Sequence, residues 1–135
     1  KNSLLKINVH RDAFAAILQS SDLMLGMAGT ASEQAIGLGK PVVQIIGEGP
    51  QFNFSFAESQ RRLLGPTIFC ADGQSGKIST LQNTSNLILD VLEIVKSDNT
   101  FKTQCFYQAQ QRLGTYGGGS KIAKYIHESI TKERK

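Results

Sequence analysis

One stretch, Asp22 to Pro41 (DLMLGMAGTASEQAIGLGKP), constrains this chain more than any other. Leu23, Met24 and Leu25 form an apolar run short enough for a strand buried on both faces. Gly26 and Gly29 then allow a sharp turn, since neither carries a Cβ. Thr30 can cap a helix through its hydroxyl, and Glu33 stands three residues on, where a capping box places an acid. Gly37 and Gly39 loosen the end of that helix and Pro41 cannot continue it. A second strand, Val42 to Ile46, follows at once.

A strand, a glycine turn and a helix N-terminus together make a candidate anion site. The leading N–H groups of a helix have no internal partner, and the helix dipole favours negative charge beside them. In an open parallel sheet this position lies at the carboxyl ends of the strands, where ligands bind. The expectation is a phosphate near Gly29, Thr30 and Ala31. The same residues suit a helix cap and nothing more, and the local pattern leaves the two readings open.

The rest of the chain alternates in kind. Leu4 to Val9 reads as a strand, and Asp12 as the N-cap of a helix to Ser20 carrying Phe14, Ile17 and Leu18. Gly47-Glu48-Gly49-Pro50 is a turn-rich loop on the same rim as Gly29. A helix is expected from Gln51 to Leu64, with Phe52, Phe56 and Leu63 inward, and a fourth strand from Thr67 to Cys70. After a polar loop from Ala71 to Lys77 come helices at Leu81 to Val95 and Phe101 to Leu113, broken by Ser97-Asp98-Asn99. The turn from Gly114 leads to a last helix, capped by Ser120, which closes in the exposed charges of Lys132 to Lys135. Strands alternating with helices predict an α/β fold, a Rossmann-like parallel sheet flanked by helices. Four strands are few for a doubly wound domain, so its N-terminal strands are expected upstream of Lys1.

Composition narrows function. The 135 residues suit one domain, and a net charge of +4 suits an anionic ligand or a membrane surface. With no Lys/Arg block and no basic-aromatic interleaving, nucleic acid is not an expected partner. Cys70 and Cys105 match no metal or redox spacing and read as free thiols of a reducing compartment, hence a cytoplasmic chain. There is no run of transmembrane length and no HExxH or paired-cysteine metal motif. GxGxxG is absent, and ADGQSGKIS departs from a Walker loop at Ala71 and Ile78. His10 and His127 are isolated, so no general base is evident.

The segments SSDLMLGMAGTASEQAIGLGKPVV, GEGPQFNFSFAESQRRLLG and GSKIAKYI together resemble the nucleotide-sugar-binding half of GT-B glycosyltransferases, in particular the lipid-A-disaccharide synthase family. The resemblance runs from about Leu4 to Ile130, and its specific part is the Gly-Thr-Ala-x-Glu turn with the GKP ending. It implies the C-terminal half of a GT-B fold and a UDP-sugar as substrate, with no metal and no other cofactor. It places the diphosphate on Gly29, Thr30 and Ala31, the ribose on Glu33, and the sugar on Gln51 and Asn53, with Glu48 beside them. Neutral amides and a carboxylate suit hydroxyl-rich ligands, and backbone N–H groups suit phosphates. The loop GEGPQFNFSF is less basic than that family's, which leaves sugar and acceptor open.

The resemblance also implies an N-terminal acceptor domain outside these residues, so this part alone is expected to turn over nothing. Two alternatives carry different chemistry: a UDP-N-acetylglucosamine 2-epimerase-like enzyme, and a non-catalytic domain of the same fold used for interaction or regulation. A lipid acceptor would put the protein at the periphery of the inner membrane. Phe52, Phe54 and Phe56 beside Arg61 and Arg62 are the candidate membrane patch, although such a stripe also suits a core. A truncated sheet exposes an edge, which favours dimers.

Overall fold

The computed structural model describes residues 5–27 and 29–132. Its elements run α1 (Phe14–Ser20), β1 (Met24–Gly26), α2 (Thr30–Gly37), β2 (Val42–Gln44), α3 (Phe54–Leu64), β3 (Ile68–Cys70), α4 (Ile78–Ser97), α5 (Asn99–Leu113) and α6 (Gly118–Lys132). The strands form one parallel sheet in the order β1-β2-β3. Met24 pairs with Val42 and Val42 with Ile68, and the last rung is Gly26–Gln44–Cys70. The chain is thus α/β, with a small open parallel sheet flanked by helices.

Strand alternation divides the core in two. Val42 and Ile68 point to the face covered by α1, α2 and α3, where they meet Leu18, Ala35, Ile36 and Leu64. Val43 points to the other face and meets Val91 and Val95 of α4, with Phe69 and Phe101 beside them. Only β2 is buried along its whole length. Helix α5 crosses the amino ends of the strands: Asp22, Gly39, Lys40 and Pro41 share a small cavity with Phe101, Cys105 and Phe106. Arg112 Nη1 donates to Arg62 O at 3.1 Å, tying the end of α5 to the end of α3. The amino rim is therefore closed by a helix, and the glycine turns open on the opposite rim.

Several expectations need correction. The segment 5–9 forms no strand: Leu5, Ile7 and Val9 are 84%, 76% and 86% exposed. A strand exists only where a neighbour takes its hydrogen bonds, and here none does, so the sheet has three strands. Leu4 lies outside the described residues, as do the side chains of the expected charged terminus, Lys132 to Lys135. Strand β1 is not buried on both faces. It is an edge, and Leu25 is 50% exposed because α4 covers β2 and β3 instead.

Several ends and facings also move. Asp12 has φ +55 and does not cap α1, whose N-cap is Ala13. Helix α3 starts at Phe54 rather than Gln51, because Asn53 caps it, and Leu63 faces solvent. Ser97-Asp98-Asn99 is a capped junction: the Asp98 carboxylate accepts from Thr100 N at 2.7 Å and Phe101 N at 3.1 Å. Helix α6 begins at Gly118, so Ser120 lies inside it and does not cap it. Among the described residues no helix is long and apolar enough to cross a membrane.

The stop after α2 is doubly specified. Gly39 has φ +69, and a Cβ there would fall 2.8 Å from the Phe106 ring. We expect Gly39→Ala to destabilise the chain by about 2–3 kcal/mol, from backbone strain plus overlap. Phe106→Ala in the same chain should relieve only the overlap, so urea denaturation of the double-mutant cycle should give a coupling of about 1 kcal/mol.

Candidate functional site

The carboxyl rim is built from three loops, one after each strand. After β1 and Met27, Gly29 is the N-cap of α2. Gly29 has φ +88 and ψ −165, a region essentially reserved for glycine, and a Cβ there would meet open space. Ser32 N and Glu33 N both donate to Gly29 O, at 3.0 and 3.4 Å. Helix α2 carries no side-chain cap, so Thr30 does not cap it and the expected capping box is not formed. The cap residue sits one position earlier than the hydroxyl pattern suggests, because the turn needs the glycine conformation at its last step. Thr30 and Ala31 lead the helix, with Thr30 and Glu33 exposed and Ala31 half-buried. Their N–H groups are the helix's leading donors, aimed at the rim.

The loop after β2 lies directly beside this turn. Ile45 N donates to Gly26 O at 3.0 Å, and a Cβ on Gly47 would lie 3.0 Å from Met27 Cε. Gly47 N donates to Phe52 O and Phe52 N to Gly49 O, folding Glu48 to Gln51 into a closed bulge. Glu48 and Gln51 are exposed on it. Asn53 is committed to structure: its Oδ1 accepts from Phe56 N and its Nδ2 donates to Pro50 O, both at 2.8 Å. Of the residues expected to bind ligand, the rim thus brings together Gly29, Thr30, Ala31, Glu33 and Gln51. Asn53 shapes the loop that carries Gln51. Phe52, Phe54 and Phe56 are each half-buried, which fits packing better than a membrane patch.

Two residues of the rim floor were not singled out from sequence. Gln44, at the end of β2, is buried and donates its side-chain amide to Gln60 of α3. The signal was a lone amide inside the apolar run VVQII. Ser32 is fully buried beneath the turn, and its Oγ has no hydrogen-bond partner among the described residues. The hydroxyl lies 3.6 Å from the point where a Cβ on Gly26 would stand. Nothing in the sequence separates it from an ordinary helical serine. A buried hydroxyl without a partner costs about 1–3 kcal/mol.

Electrostatics at the rim are mild. Cys70, on the last rung, has its pKa raised to about 11 by burial and by the neighbouring carboxylates of Asp72 and Glu58. Burial also raises Cys105, at the closed rim, to about 11. Both thiols stay protonated near neutrality and neither is poised as a nucleophile. The described residues contain no cluster of three or more His, Cys, Asp or Glu that could hold a metal. Compared with protein-family models, curated proteins and solved structures, the chain matches none.

Two outcomes follow. Ser32→Ala should raise stability by about 0.5–1.5 kcal/mol in urea denaturation, since it removes an unpartnered hydroxyl and improves helix propensity. The thiols give a pH dependence of known sign. A cysteine that ionises near 9.0 when unfolded and near 11 when folded keeps its proton in the folded chain. Its contribution is full below pH 9 and is lost as pH rises towards 11. Thermal melting should therefore decline less steeply over that window in Cys105→Ala than in the unaltered chain.

Proposed function

We propose that this chain is the donor-binding part of a metal-independent glycosyltransferase related to the lipid-A-disaccharide synthase family. The carboxyl rim would hold a UDP-sugar. The observation that carries the reading is the bare N-terminus of α2, opened by Gly29 in a glycine-only conformation at the carboxyl ends of a parallel sheet. The diphosphate is assigned to the N–H groups of Thr30 and Ala31, the ribose hydroxyls to the exposed carboxylate of Glu33, and the sugar to Gln51 and Glu48.

In this reading the turn stabilises the charge that develops on the departing UDP, and the paired loops orient the sugar. The catalytic base and the acceptor belong to an N-terminal domain, so the chain by itself binds and does not turn over. The protein is assigned to the cytoplasmic side of the membrane.

Calorimetric titration of UDP, UDP-N-acetylglucosamine and pyrophosphate tests the assignment. Gly29→Ala should weaken all three by about tenfold or more, because the turn loses the conformation that aims the donors. Glu33→Ala should weaken UDP and UDP-N-acetylglucosamine by about three- to tenfold and leave pyrophosphate unchanged or slightly tighter. A chain whose affinity for UDP is untouched by Gly29→Ala does not use this turn.

A further inference from the structure

Among the described residues, Ser32 Oγ is a fully buried side-chain atom with no hydrogen-bond partner. Other buried polar side chains of this chain are answered. Thr84 Oγ1 donates to Thr80 O at 2.8 Å, Thr80 Oγ1 accepts from Gln74 N at 2.9 Å, and Gln44 donates to Gln60. Serines inside other helices donate to the carbonyl four residues back, as Ser59 does to Ser55 O at 3.0 Å and Ser97 to Glu93 O at 2.7 Å. Ser32 has no such route within α2. It is the third residue of the helix, so the residue four back precedes it. The carbonyl three back, Gly29 O, already accepts from Ser32 N at 3.0 Å and Glu33 N at 3.4 Å.

The hydroxyl stands where the chain passes from strand to helix, 3.6 Å from the point where a Cβ on Gly26, the last residue of β1, would lie. Helix α2, whose start it underlies, carries no side-chain cap. The groups gathered at this turn are therefore donors: the leading N–H groups of the helix, which can only donate, and a hydroxyl whose proton has no acceptor. Their complement is a group rich in lone pairs, and the helix dipole selects a negative one. A phosphoryl group fits, since its oxygens accept from several directions, whereas an amine would set donor against donor. Resting on the assignment of the diphosphate to this turn, we propose that the Ser32 hydroxyl is a further donor to it, and that phosphoryl binding is what satisfies this buried group. The turn covers the hydroxyl, so the bond forms as the turn shifts around the seated oxyanion. Gly29, with φ +88 and open space where a Cβ would stand, is the residue about which it shifts. Ser32 thereby lowers the stability of the chain and raises its affinity for phosphoryl ligands.

The test is calorimetric titration of inorganic pyrophosphate and of UDP onto the full chain, beside Ser32→Ala and Ser32→Cys, with thermal melting of each. Ser32→Ala should weaken both ligands by about tenfold, because a hydrogen bond to a charged group is lost. Ser32→Cys keeps nearly the same shape but donates weakly, so it should fall with Ser32→Ala rather than with the unaltered chain. By itself Ser32→Ala should melt at a higher temperature, yet saturating pyrophosphate should raise its melting temperature by less. Unchanged affinity in both variants overturns the proposal while the diphosphate assignment stands, for Ser32 would then only fill space. Weaker binding together with a lower melting temperature also overturns it, since the serine would then be holding the fold. An unaltered chain that binds neither pyrophosphate nor UDP overturns the assignment itself, and the proposal with it.

Discussion

The structure depends on β2 being apolar on both sides. Val42 and Val43 stand on successive positions, so one feeds the core beneath α2 and α3 and the other the core beneath α4. A strand buried this way has no exposed edge or face and must be flanked by two other strands and covered by two helical layers. Each neighbour is then fixed in register, and the last rung, Gly26–Gln44–Cys70, sets the level at which all three loops leave the sheet. The third residue of the strand, Gln44, has no apolar use there, and its burial is matched by an amide partner on α3.

The two ends of the sheet are treated in opposite ways. The amino end is sealed by α5, with Phe106 against Gly39 and Arg112 on the end of α3. The carboxyl end is left to glycine turns and short loops. That asymmetry is what makes one rim a floor and the other a candidate site. It also locates the unmet hydroxyl of Ser32 on the open side, a local violation of polar satisfaction beneath a turn held in a glycine-only conformation. A glycine-only conformation and an orphaned polar atom in one place are what a ligand-binding turn tolerates better than a purely structural one.

Exposed apolar side chains occur on many elements, and two groups of them differ in setting. Along β1 and α1, Phe14, Ile17, Leu25 and Met27 are about half exposed where β1 forms the edge of the sheet. On α6, Ile122, Tyr125, Ile126 and Ile130 lie along one helical face and are each at least half exposed. The first is the flank of an open sheet and the second a complete amphipathic surface with its own charge.

The sequence by itself determined the alternation of strands and helices, the turn at Gly29, the stop at Gly39-Lys40-Pro41 and the rim on which the candidate ligand residues gather. These follow from local causes: apolar periodicity, the missing Cβ of glycine and the fixed φ of proline. Tertiary structure decided what depends on neighbours. Leu5 to Val9 alternates well enough for a strand and forms none, because no edge receives it. Leu23 to Leu25 is apolar enough to be central, yet lies at an edge. Thr30 and Glu33 spell a capping box, but the glycine conformation puts the cap one residue earlier and leaves both side chains facing solvent. Asn53 and Ser32 show the same limit. Whether a polar side chain meets a ligand, a backbone group or nothing depends on packing that residue order does not encode locally.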